Sequence, residues 1–211
     1  MDYNYIVIEG NIGAGKTSLV TRLADELNAK LILERFGDNP FLPKFYNDPE
    51  RYSFPVELSF LADRYYQLKE ELSTRNIFSP VILADYYFSK SLIFAGINLK
   101  QDEYNLYRQI YNIIHRHFPV PDLYSYLHLP VDKLMGHIRK RGRDYEQTIS
   151  LDYLIKLQRG YFEYFKAQND MIILIIDISN IDFVNNHSDY QKISDYIVNG
   201  KHLKGINRLI L

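Results

Sequence analysis

The chain has 211 residues, 46% apolar and 24% charged, with a formal net charge of −1 and no cysteine. That length suits about one domain at ~100–200 residues each, and the composition excludes a largely disordered chain. A near-neutral charge argues against a nucleic-acid partner, and the lack of cysteine excludes disulfides, thiolate metal sites and a cysteine nucleophile. The longest apolar run, residues 171–176, is far short of the ~20 needed to span a bilayer. No basic-then-apolar leader opens the sequence, so the expectation is a soluble, cytoplasmic, single-domain protein over 1–211 with no membrane partner.

Strand and helix patterns alternate. A strand over 5–9 (YIVIE) stops at a Gly-rich turn, and a helix is predicted over 16–28. Strand 31–34 follows, then a long helix over 49–75, strand 81–85 and a helix over 101–117 closed by Pro119 and Pro121. Strand 123–129, helices 131–141 and 150–168, strand 172–177 and a helix over 190–199 complete the chain, with Gly142 at an expected helix stop. Near-continuous apolar strands separated by helices predict a parallel sheet covered on both faces. The expected fold class is therefore α/β, with five parallel strands, flanking helices and right-handed crossovers. Tyrosine is abundant at 19 residues, a bias the linear pattern does not explain.

Gly10, Asn11, Ile12, Gly13, Ala14, Gly15, Lys16 and Thr17 match G-x-x-x-x-G-K-[ST] in full, with a strand before and a helix after. Glycines let backbone N–H groups curl around phosphate oxygens, and the helix N-terminus favours negative charge. Lys16 is placed to reach the β- and γ-phosphates, and Thr17 to hold Mg2+. The Asn-Lys-x-Asp expected of a GTPase has no fit; the nearest segment, 184–189, reads VNNHSD. Lys133, Arg139, Lys140, Arg141 and Arg143 fall within eleven residues. Arg141 and Arg143 flank Gly142 on a short Arg-rich lid, about 137–148, suited to closing on phosphates and stabilising charge during transfer.

The chain resembles the deoxynucleoside kinase family, and within it the bacterial deoxyguanosine kinase-like branch. The resemblance rests on GNIGAGKT (10–17), Glu34, NPFLPKFY (39–46), YSFPVELSFLADRYYQ (52–67), ADYYFSKSLIFA (84–95) and KRGRDYEQ (140–147), in the expected order. It implies a P-loop kinase fold, a homodimer, and γ-phosphoryl transfer from ATP with Mg2+ to the 5′-hydroxyl of a deoxynucleoside. Glu34, closing the second strand at the edge where α/β sheets bind ligands, is assigned the orientation or deprotonation of that hydroxyl. Asp85, closing the third strand, is assigned to Mg2+ and is the rival base. Tyr46 and Glu146 match positions that contact the sugar 3′-hydroxyl, and Arg64 a base-contacting arginine.

Glu57 departs from the Gln usual in deoxyadenosine and deoxycytidine kinases. An ionised carboxylate only accepts hydrogen bonds, so it complements the adjacent N1–H and 2-amino donors of guanine. Deoxyguanosine is therefore the expected acceptor, with a deoxyadenosine or broad-specificity kinase as the alternative and a thymidylate-type kinase or a P-loop ATPase further off. A plain Glu57–Arg64 ion pair is the structural alternative for those two residues. Tyr86 stands where many relatives have Arg after the strand-end acid, Ser91 where many have a base-contacting acid, and His137 where the lid often has Arg. An unperturbed histidine, with a pKa of about 6.5, is only partly charged near neutrality, and Arg139 is the expected compensation.

Overall fold

The computed structural model describes residues 3–37, 39–73 and 81–211. Six strands form one sheet in the order β2-β3-β1-β4-β5-β6. They are β1 (Tyr5–Gly10), β2 (Lys30–Ile32), β3 (Ile82–Ala84), β4 (Leu123–His128), β5 (Ile172–Asp177) and β6 (Gly205–Ile210), and every pairing is parallel. The helices are α1 (Lys16–Leu27), α2 (Leu42–Asn47), α3 (Pro49–Ser73), α4 (Ser89–Asn98), α5 (Gln101–Ile114), α6 (Val131–Arg141), α7 (Leu151–Lys166) and α8 (His187–Val198). The predicted end of the long helix, residues 74 and 75, lies outside the described residues.

The sheet has six strands, one more than the five predicted. β6 pairs with β5 over its whole length, from Ile172 against Gly205 to Asp177 against Ile210. It is an edge strand whose burial alternates residue by residue, with Ile206 and Ile210 exposed. It therefore lacks the unbroken apolar run that marks the interior strands. Two helices, α2 and α4, also lie where none was predicted.

Each interior strand feeds two cores. Ile6 and Ile8 of β1 pack with Leu19, Leu127, Leu134 and Leu174, whereas Tyr5 and Val7 point to the opposite face. Burial on both faces explains why the strand has no polar alternation. The second face is built largely of tyrosine. Tyr86, Tyr107, Tyr124, Tyr126 and Tyr161 are fully buried there, and Tyr126 packs on Tyr161 and Phe165 at centroid distances of 5.0 and 5.2 Å. More than half of the tyrosines thus belong to one aromatic core, under α3, α4, α5 and α7.

Because the strands run parallel, the turns after β1, β2 and β3 emerge on one edge. That edge receives the Gly-rich turn, Glu34 and Asp85.

Candidate active site

The turn after β1 is shaped by glycine. Gly13 and Gly15 have φ of 84° and 85°, the left-handed region that side-chain-bearing residues avoid. A Cβ on Gly15 would come within 2.9 Å of the Phe183 ring, so the loop after β5 packs directly on the P-loop. Lys16 folds back over its own turn, its Nζ donating to the Gly10 and Asn11 carbonyls at 3.0 Å each. Burial and then the neighbouring Lys90 lower its pKa to about 8 against the pull of Glu9, Asp85 and Glu34.

Asp85 ties three elements together. Thr17 Oγ1, on the first turn of α1, donates to its Oδ2 at 2.7 Å, and the Glu34 main-chain N–H donates to its Oδ1 at 2.7 Å. The Glu34 carboxylate is itself held between two cations. Arg64 of α3 donates through Nε at 2.9 Å and Nη2 at 2.7 Å to Oε1, and Lys90 of α4 donates to Oε2 at 2.5 Å. Burial alone would raise the Glu34 pKa, but Lys90 and Arg64 hold it down at about 2. The remaining Arg64 contact, from Nη1, goes to Ser91 Oγ at 2.9 Å.

Arg64 therefore pairs with Glu34, and the alternative Glu57–Arg64 ion pair does not form. Glu57, seven residues before Arg64 on α3, is also buried, and Asn98 Nδ2 donates to its Oε1 at 2.6 Å. Its Oε2 is buried and has no hydrogen-bond partner among the described residues. Burial, opposed by Asn98 and Arg64, pushes the carboxyl up to about 7.

Two arginines of the predicted lid converge on one acid. Glu146, buried in a single 3₁₀ turn, accepts from Arg141 Nε at 3.0 Å and from Arg143 Nη1 at 3.2 Å. Arg143 also lies over the Phe36 ring at 4.3 Å. Tyr46 stacks on Tyr145 of the same turn at 6.1 Å, and burial with the nearby Glu146 drives its hydroxyl pKa well upward. His137 sits outside this cluster, its Nδ1 2.9 Å from the Gly13 carbonyl. Arg139 is exposed and lines neither cleft described below, so it does not stand in for a lid arginine there.

Two clefts meet here. One is lined by Tyr46, Glu57, Arg64, Lys90, Asn98, Glu146 and Tyr153. The other runs over the P-loop to Lys133, His137, Lys140 and the 181–185 segment. Gly13, Lys16, Thr17, Glu34, Phe36, Asp85, Arg141 and Arg143 line both.

The deoxynucleoside kinase family model matches residues 6–201. The chain belongs to the deoxynucleoside kinase family. It is 34% identical to a deoxyguanosine kinase of Bacillus subtilis, over 92% of this chain and 95% of that one. It is 28% identical to the deoxyadenosine/deoxycytidine kinase of the same species, over 93% of each. A solved deoxyadenosine kinase from M. mycoides with bound dATP superposes with a TM-score of 0.78 at 25% identity, covering 92% of this chain and 98% of that one.

In this deoxynucleoside kinase the sequence-predicted Lys16, Thr17, Glu34, Asp85, Arg141 and Arg143 line both clefts and Tyr46, Glu57, Arg64 and Glu146 line one, while Lys90 and Asn98 of that same cleft were missed. Both lie on α4, whose SKSLIFAGIN reads as a mostly apolar stretch. The available signal was a lysine buried at 6% exposure only because Glu34 compensates it, and charge burial of that kind is legible only once the pair is in place. Among the described residues, no helix is long and apolar enough to cross a membrane.

Proposed function

We propose that this kinase transfers the γ-phosphoryl group of ATP, with Mg2+, to the 5′-hydroxyl of purine deoxynucleosides, with deoxyguanosine preferred. The observation that carries the reading is the wall common to the two clefts. A triphosphate along the P-loop and a nucleoside reaching Glu57 would meet between Lys16, Glu34 and Arg141, residues that line both clefts.

In this arrangement the base faces Glu57, the sugar lies between Tyr46 and Glu146, and the 5′-hydroxyl donates to Glu34. The oxygen attacks the γ-phosphorus in line, the bond to the departing diphosphate breaks, and the hydroxyl proton passes to Glu34 and on to solvent. A carboxylate held near pKa 2 is a weak base. That suits a loose phosphoryl-transfer transition state, in which orientation matters more than early deprotonation. Between the two candidate bases the role is given to Glu34, because Asp85 Oδ2 with Thr17 Oγ1 is the pair suited to Mg2+. Hydrogen bonding does not separate the two acids, since the Glu34 oxygens accept from Arg64 and Lys90 just as those of Asp85 accept from Thr17 and the Glu34 N–H. Lys16, Arg141 and Arg143 stabilise the charge that develops on the transferring group.

Thr17 Oγ1 and Asp85 Oδ2 are hard oxygen donors 2.7 Å apart at the phosphate end of the donor cleft, a fit for Mg2+. They would hold it, and when bound it supplies neutralisation of the phosphate oxygens.

The guanine preference rests on Glu57 Oε2, a buried acceptor with no donor among the described residues. A guanine N1–H or 2-amino group supplies one, whereas a carboxylate faces an adenine ring nitrogen as acceptor against acceptor. Relatives named for deoxyadenosine and deoxycytidine favour the broader alternative. A homodimer belongs to the same reading, supported by the exposed Leu106 and Ile113 on α5 and measurable by light scattering. The deciding experiment compares kcat/KM for deoxyguanosine and deoxyadenosine in the parent and in Glu57→Gln. The substitution is expected to shift preference toward deoxyadenosine, and an unchanged ratio removes guanine selection from Glu57.

A further inference from the structure

The base end of the acceptor cleft holds one carboxyl whose two oxygens live differently. Glu57 Oε1 accepts from Asn98, which also donates to the Tyr153 hydroxyl at 3.1 Å, so this oxygen is fixed as an acceptor. Oε2 is buried, bears no hydrogen bond among the described residues, and belongs to a side chain lining the cleft. The two buried cations close by, Arg64 and Lys90, are both bonded to Glu34. Among the described residues, no hydrogen-bond partner thus dictates whether Oε2 accepts or, carrying a proton, donates.

We propose that this kinase has a second acceptor, deoxyadenosine, taken when Glu57 is protonated, so that one proton on Oε2 selects between the two purines. The inference rests on the reading of Glu57 as the base-facing residue. Ionised, the carboxyl offers two acceptors to the paired donors of guanine. Protonated, it offers one donor and one acceptor, the same set as a glutamine amide, and this complements adenine, whose N1 accepts and whose 6-amino group donates. The mismatched state leaves a buried polar pair facing like against like, which a site built on hydrogen bonds rejects strongly.

The groups around Glu57 leave it as the one that changes charge near neutrality. On its own helix, Arg64 favours the ionised form; from α4, Asn98 and Lys90 do the same; from the end of β2, Glu34 opposes it. From α5, the Tyr107 hydroxyl bonds the Glu57 carbonyl oxygen at 3.3 Å, outside the carboxyl. The hydroxyls of Tyr46 on α2, Tyr107 and Tyr153 on α7 are all raised above the ordinary tyrosine value, chiefly by burial, so they stay neutral. Burial sets the carboxyl at about 7 in the open cleft, and kcat/KM reports the ionisation of that free enzyme.

The test is kcat/KM for each purine deoxynucleoside, with ATP and Mg2+, from about pH 5.5 to about pH 8.5. Groups that serve phosphoryl transfer act on both acceptors alike, so the ratio isolates the base-facing group. The deoxyguanosine-to-deoxyadenosine ratio is expected to fall close to tenfold for each pH unit of acidification. In Glu57→Gln it is expected to be low and flat across the range. A parent ratio that does not move with pH, while deoxyguanosine is still phosphorylated, overturns this inference alone. A slope that persists in Glu57→Gln overturns it too, by placing the proton elsewhere. Failure to phosphorylate either purine at any pH overturns the purine reading itself.

Discussion

Lys90 and Glu34 form a buried ion pair, Nζ to Oε2 at 2.5 Å, and Arg64 closes on the other oxygen of the same carboxylate. Two cations from different helices therefore fix one acid at the junction of both clefts. The acid is aimed by α3 and α4 although it lies two residues past the end of β2, and its main chain is pinned by Asp85.

Removing one of those cations tests the arrangement. Lys90→Met leaves Glu34 with Arg64 alone, and the loss of stability is expected to reach up to about 3 kcal/mol, limited because Arg64 still compensates the charge. The sharper readout is the pH dependence of kcat. With Lys90 gone, the Glu34 carboxyl moves up from about 2 toward the ordinary carboxylate range, and an acid limb enters the accessible profile. Lys90→Arg keeps the charge and is expected to restore the parent profile. Identical profiles for Met and Lys would show that Lys90 has no hold on Glu34.

The two buried carboxyls carry opposite linkage to pH. For Glu34 the folded pKa, about 2, lies below the ordinary 4.5, so its contribution is present above 4.5 and is lost as pH falls through about 2. For Glu57 the folded pKa, about 7, lies above 4.5, so its contribution is complete below 4.5 and is lost as pH rises through about 7. Glu57→Gln is therefore expected to stabilise the ligand-free protein at about pH 8, by an amount on the order of 3 kcal/mol. The gain should vanish below about pH 5. Urea midpoints at the two pH values decide it; a gain of the same size at both would detach the effect from ionisation.

Much of this site is legible in the linear sequence, for a physical reason. The P-loop is local: eight successive residues make the turn, and its chemistry follows from their order. Glu34 and Asp85 are legible because each follows a strand, and parallel strands deliver their ends to one edge. Lys90, Asn98 and the Arg64–Glu34 pairing are not, because each depends on a contact across 30 to 56 positions of sequence. Nothing local distinguishes a lysine destined for burial beside an acid from a solvated one. The edge strand β6 was hidden for a related reason, since half of its residues face outward and break the apolar run that marked the others.

The close packing of Phe183 on the P-loop gives a third expectation. Gly15→Ala must hold a side chain at φ 85°, a strain of about 1–2 kcal/mol, and must displace the Phe183 ring, 2.9 Å from the new Cβ. Because that ring heads the segment bordering the donor cleft, the KM for ATP is expected to rise much more than that for the nucleoside. Equal increases in the two would show that the turn shapes both pockets alike.

Glu146 joins the predicted lid arginines to the proposed sugar-binding end of the cleft, because one buried carboxylate anchors both Arg141 and Arg143 beside Tyr46. Arg143→Ala removes a guanidinium proposed to stabilise the transferring charge, so kcat is expected to fall by about 10³-fold or more. Glu146→Gln removes the anchor instead. Both arginines lose their charged partner while the proposed 3′-hydroxyl contact is left with one acceptor in place of two, so kcat should fall and the nucleoside KM should rise together. If the arginine and the acid act as one unit, combining Arg143→Ala with Glu146→Gln lowers kcat by much less than the product of the separate effects. Losses that multiply would show that Glu146 serves the sugar alone, with Arg141 and Arg143 positioned by the backbone around Gly142.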